Sequence, residues 1–199
     1  MTQNLFDNIH IANKSYQELL DLFNINIQDD CDYYPIIAYH LLKNNEQNII
    51  DNFENFNDVQ KVAIIDAFGF FDNISNNAQD FLLSFLDSKN NNFTFSAILS
   101  LKNKENYYSD LIEKFLYSDD VMIKNSAIQY FAKKKGLLFK DELRKLLNDK
   151  NEFIREVALD ELDDLDDEDL INDALYCLND NSESVKDLAN YIVNRLKQS

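Results

Sequence analysis

Apolar residues recur along this chain at helical spacing, in short runs broken by polar turns. Five segments carry one motif, at residues 59–63, 93–97, 123–127, 154–158 and 185–189. Each opens on an apolar residue and closes on an alanine four positions later, so both lie one turn apart on a single helix face. The alanines advance 63→97→127→158→189, steps of 34, 30, 31 and 31 residues. A leucine stands eleven positions before four of them, at Leu86, Leu116, Leu147 and Leu178. The first unit departs, with Phe53 ten positions before Ala63. A period of this length is the signature of stacked helical units.

Between leucine and alanine the chain turns polar: Asp87-Ser88, Ser118-Asp119-Asp120, Asn148-Asp149 and Asn179-Asp180. Such side chains favour turns and satisfy the orphan N–H groups of a following helix. Each unit is therefore predicted to be a helix A, a short turn and a helix B. Helix A is clearest at 110–116 and 141–147. Helix B is clearest at 154–165, where Ile154, Val157, Ala158, Leu162 and Leu165 form one stripe. Upstream, residues 15–23 and 33–42 predict two more helices around the polar stretch 24–32. Pro35 suits the first turn of the second. The expectation is an all-α chain, 1–199 as a single domain, with atypical capping helices over 1–47 and about five repeats over 48–199.

The repeat resembles the HEAT-like family, in its short version of about thirty residues. Asp149 precedes Arg155 by six positions and Asp180 precedes Lys186 likewise, a pairing common in HEAT turns; Ser118/Lys124 and Ser88/Thr94 are degraded versions. The resemblance implies a right-handed α-solenoid, with the helices B lining a concave binding surface.

Composition narrows the chemistry. Two glycines and one proline leave little room for sheet turns or Gly-rich phosphate loops. With 36 acids against 19 bases the formal charge is -17, which argues against nucleic acid and anionic membranes and favours a basic protein partner. Residues 1–13 have no basic, apolar leader pattern, and no run is long enough to span a bilayer, so a cytoplasmic protein is expected. Cys31 and Cys177 are isolated, which fits a reducing compartment. His10 and His40 lack ligand-spaced neighbours, and no nucleophile, metal or nucleotide motif occurs. No catalytic residue, metal or cofactor is expected, and His40 is expected to be a satisfied, partly buried side chain.

Eight of the ten residues 160–169 are acidic. They lack the glycine and alternation of a calcium loop, and are either a solvated, well-capped turn or a docking patch that includes Asp160 and Asp163. Positions two before and two after each core alanine are expected to face outward: Lys61/Ile65, Phe95/Leu99, Asn125/Gln129, Glu156/Asp160 and Asp187/Tyr191. Phe95 and Leu99 are either core in a rotated repeat, which the irregular second unit favours, or a binding anchor. Lys133, Lys134 and Lys135 complement the C-terminal end of their helix. These readings converge on a non-enzymatic interaction module, monomeric when free, similar to an immunity protein that blocks a basic toxin. The alternatives are a subunit similar to phycobilisome lyases, handling chromophore-bearing proteins, or a generic adaptor.

Overall fold

The computed structural model describes residues 9–25, 33–165 and 167–198. Among them every regular element is helical and no strand occurs, as the pattern predicts. Two compact units divide the chain, one ending at Asn106 and the other beginning at Tyr107. Cys31 and Asp166 lie outside the described residues.

The N-terminal unit holds α1 (Ile9–Ala12), α2 (Tyr16–Asn24), α3 (Tyr33–Asp51), α4 (Asp58–Phe68), α5 (Asn76–Ser84) and α6 (Asn91–Lys102). α2 starts at a capping box: the Glu18 N–H donates to Ser15 Oγ, and the Ser15 N–H donates to the Glu18 carboxylate at 2.8 Å. α3 runs beyond the expected 33–42. It is two helices joined at Asn45, whose backbone is non-helical and whose side-chain oxygen accepts the Asn48 N–H at 3.1 Å. Asparagine makes such a local cap readily, so a polar residue restarts a helix there.

A buried polar stripe ties α6 to the end of α4. Ser96, Ser100 and Lys104 follow one another at four-residue spacing and are all at most 4% exposed. Ser100 Oγ donates to the Ile65 carbonyl at 2.7 Å, and Lys104 Nζ donates to the Phe68 carbonyl at 2.6 Å and to that of Phe71. The lysine thus puts a cation on the carbonyl end of α4, where the helix dipole favours it. Gly69 fits this crowded end because a Cβ would stand 3.0 Å from the Asp66 carbonyl oxygen and 3.3 Å from Ser100 Oγ. Gln60 makes the equivalent tie at the preceding helix pair, its amide donating to the Phe23 carbonyl at the end of α2 at 2.5 Å. Around these contacts Phe53, Phe81 and Phe85 pack edge to face, with Phe53 and Phe85 each 4.9 Å from Phe81.

The C-terminal unit holds α7 (Ser109–Ile112), α8 (Val121–Lys135), α9 (Lys140–Leu146), α10 (Glu152–Asp164), α11 (Leu170–Cys177) and α12 (Glu183–Leu196). The helix expected at 110–116 is α only through Ile112 and tightens into a 3₁₀ turn over Glu113–Tyr117. Tyr130 is fully buried on α8; its hydroxyl accepts the Tyr108 N–H at 2.6 Å, and burial pushes its pKa up to about 12. All five marker alanines are core: Ala97, Ala127, Ala158 and Ala189 at 0% exposure and Ala63 at 3%.

One turn recurs through the chain. Ser88, Ser118, Asp149 and Asp180 each accept the N–H of the residue two positions on, Asn90, Asp120, Asn151 and Ser182, at 3.0, 3.1, 2.8 and 2.7 Å. Asn90, Asp120 and Asn151 then cap the following helix with their own side chains. The serines that depart from the aspartate pattern therefore make the same turn.

Candidate interaction surface

The aspartates of this turn also receive cations from the preceding unit. Lys124 on α8 pairs with Asp149, and Arg155 on α10 grips Asp180 through two bonds of 2.7 Å. The six-residue spacing of Asp149 and Arg155 has a different result: Arg155 donates to the Asp149 backbone carbonyl at 2.9 Å, while its fork reaches forward. Lys186 pairs within its own helix with Glu183 at 2.6 Å. The Arg155 bond holds the Asp180 carboxyl below its usual range. Burial pushes Asp149 the other way, but Lys124 and the Asn151 N–H leave it lowered as well. Between these turns lies a polar cleft of about 360 Å³ lined by Asn148, Arg155, Tyr176, Cys177 and Asn181 among others. Cys177 is 2% exposed, and burial raises its thiol to about 11, so it is held as an inert core thiol.

Part of the acidic run 160–169 is paired within the molecule. Asp163 pairs with Arg195 on α12. Asp167 takes Lys140 at 3.3 Å and Arg144 at 2.7 Å, and Arg144 also reaches Asp169 at 3.8 Å and Asp173 at 3.0 Å. Arg144 is thus a hub that ties α9 to the start of α11. Within the run Asp163, Asp167 and Asp169 are engaged by cations of the same chain, while Asp160 remains exposed. Among the described residues no group of three or more His, Cys, Asp and Glu is placed to hold a metal ion.

The outward row survives on α10 and α12, which pack side by side with α8 next to α10. Asp160 and Asp187 are exposed, Glu156 is half-buried, and Tyr191 is 61% exposed with the Arg195 guanidinium 5.8 Å from its ring centre. Partial burial and the charges of Asp164, Asp163 and Glu156 raise the Asp160 carboxyl. The 31-residue period aligns Glu156 with Asp187 and Asp160 with Tyr191 on the two neighbouring helices. The result is a group of three carboxylates beside an exposed tyrosine ring that Arg195 approaches.

Elsewhere the outward expectation is corrected. Asn125 is buried at 5% and accepts the Gln129 amide at 3.1 Å, with Gln129 half-buried. Ile65 is fully buried, and the Lys61 ammonium answers Glu54 at 2.5 Å. Phe95 and Leu99 are half-buried on α6, neither sealed core nor open anchor. A helix with neighbours on several sides has little free face, so position relative to the alanine does not by itself expose a residue. His40 is 7% exposed and packs edge-on against Tyr39, in keeping with the expected partly buried side chain. His10 falls in α1. Sequence reasoning passed over Lys104 and Arg144; the one available signal was Lys104 eight positions beyond Ser96, two turns on the same helix face.

No family model matches this chain, and no curated protein matches it. Among solved structures, a crystal structure of an engineered protein from the Northeast Structural Genomics Consortium is similar over 93% of this chain and 97% of its own, at 12% identity and a TM-score of 0.48.

Proposed function

We propose that this chain is a non-enzymatic protein–protein interaction module, a right-handed α-solenoid of HEAT-like helix pairs that binds and inhibits a basic partner in the cytoplasm. An immunity protein that neutralises a basic toxin is the form that fits best. The observation that carries this reading is the acidic patch of Glu156, Asp160 and Asp187 on α10 and α12. Asp160 and Asp187 stay exposed and Glu156 half-exposed, while Asp149, Asp163, Asp167 and Asp180 are taken up by cations of the same chain. Partner lysines and arginines would relieve the repulsion from Asp164, Asp163 and Glu156 that, together with partial burial, raises Asp160. Occlusion of the partner's phosphate-binding surface by charge complementarity is the mechanism.

The test is growth rescue and binding with a basic toxin encoded beside this chain's gene. Glu156→Lys with Asp160→Lys should abolish protection and slow association, whereas Asp173→Asn should leave the binding face intact. Association that ignores both salt and these reversals would overturn the reading.

A further inference from the structure

Residues 121–140 hold five lysines and no acid, in a chain of formal charge -17. α8 ends in this stretch at Gly136, whose φ of 55° turns the backbone out of the helix. A 3₁₀ turn over Gly136–Phe139 follows. Phe139 enters the core at 2% exposure, while Leu137 and Leu138 remain 52% and 89% exposed. Leu138 is the most exposed large apolar side chain among the described residues. Lys133, four residues before Leu137, is exposed, and half-buried Lys135 has its ammonium 4.7 Å from the Phe131 ring centre and 5.9 Å from that of Phe139. Of the acids that follow, Glu142 pairs with Lys145 at 2.6 Å and Asp167 with Lys140 and Arg144, while Asp141 is 82% exposed, 3.9 Å from Arg144.

Two leucines are too little surface for a specific protein interface, which buries on the order of 1,200 Å² or more. A short apolar prong with cations at its base matches what a lipid headgroup layer accepts. We propose that the Leu137/Leu138 tip, with Lys133 and Lys135 beside it, docks reversibly on an anionic lipid surface. The leucines enter the boundary between headgroups and acyl chains, and the ammonium groups meet the lipid anions. The net charge of the whole chain does not forbid this, because at about 0.15 M salt charges more than about 8 Å away are largely screened. One small prong gives weak, transient attachment. The tip lies on the turn between α8 and α9, apart from the acidic patch of α10 and α12, so the two proposals fail separately.

Co-sedimentation of the full chain with phosphatidylcholine vesicles, with and without phosphatidylserine, tests the assignment. Binding is expected only with phosphatidylserine and is expected to fall in high salt. Leu138→Ser should lower the partition coefficient about tenfold. Lys133→Glu should weaken it as well, with circular dichroism unchanged for both variants. No binding to the anionic vesicles, equal binding to phosphatidylcholine alone, or variants that bind like the parent would each overturn it. So would concentration-dependent dimerisation that Leu138→Ser abolishes without any vesicle binding, since a second copy would then cover the tip.

Discussion

Lys104 illustrates how much one side chain can hold. Its ammonium is buried against two backbone carbonyls at the end of α4, so its removal strands those acceptors as well as its own packing. Lys104→Met should destabilise the protein by roughly 2–3 kcal/mol, read by urea denaturation, because unpaired buried polar groups bear the full desolvation penalty. Asp180 sets a pH limit of a different kind. Its folded pKa lies below the unfolded value of about 3.9, so its contribution is complete above that value and is lost as pH falls through the folded pKa. Asp180→Asn should therefore flatten the acid limb of the stability curve below about pH 4. Asp66 acts in the opposite sense: burial raises its carboxyl against the lowering effect of Ser96, so its ionised form opposes folding and acidification relieves it. Apart from the spacing of Ser96 and Lys104, these roles leave no mark along the chain, since each joins residues distant in sequence.

At the scale of the element, the repeat was legible and the contacts between repeats were not. The five alanines and the polar turns located helices B because both signals are local: a 3.6-residue period and side chains that cap their own backbone. The helix predicted at 110–116 is α only through Ile112, a difference the sequence does not signal because the change to 3₁₀ leaves the apolar spacing nearly unaltered. The acidic run at 160–169 looked open because its cations, Lys140, Arg144 and Arg195, stand more than twenty residues away. The close approach of α6 and α4 gives a test of packing. Gly69→Ala places a Cβ 3.3 Å from Ser100 Oγ and 3.4 Å from Ser100 Cα and should cost about 1–3 kcal/mol, whereas Gly136→Ala meets open space but is strained by a backbone at φ 55°, ψ -135° that side chains rarely adopt, and should cost at least as much. Thermal denaturation of the two variants checks the order.

For the whole molecule, charge is a matter of placement. The N-terminal unit, residues 1–106, has 6 bases and 15 acids, a sum of -9; residues 107–199 have 13 and 21, a sum of -8. Among the described residues the C-terminal unit nevertheless contains most of the ion pairs, the acidic patch and the lysine-rich tip. Two compact units with separate cores should unfold in two calorimetric steps. Lys104→Met is expected to lower one midpoint and Asp180→Asn the other; a single transition shifted equally by both would show that the units melt as one.

The recurring turn has a consequence for how such a chain can change over time. Serine and aspartate accept the same N–H at 88, 118, 149 and 180, but only aspartate can also take a cation from the unit before it. Bending the chain and stapling neighbours are thus separable tasks carried by one position. A unit can exchange carboxylate for hydroxyl, lose its staple and keep its shape. Mutation can then erode the likeness among the units while the helices they connect remain in step.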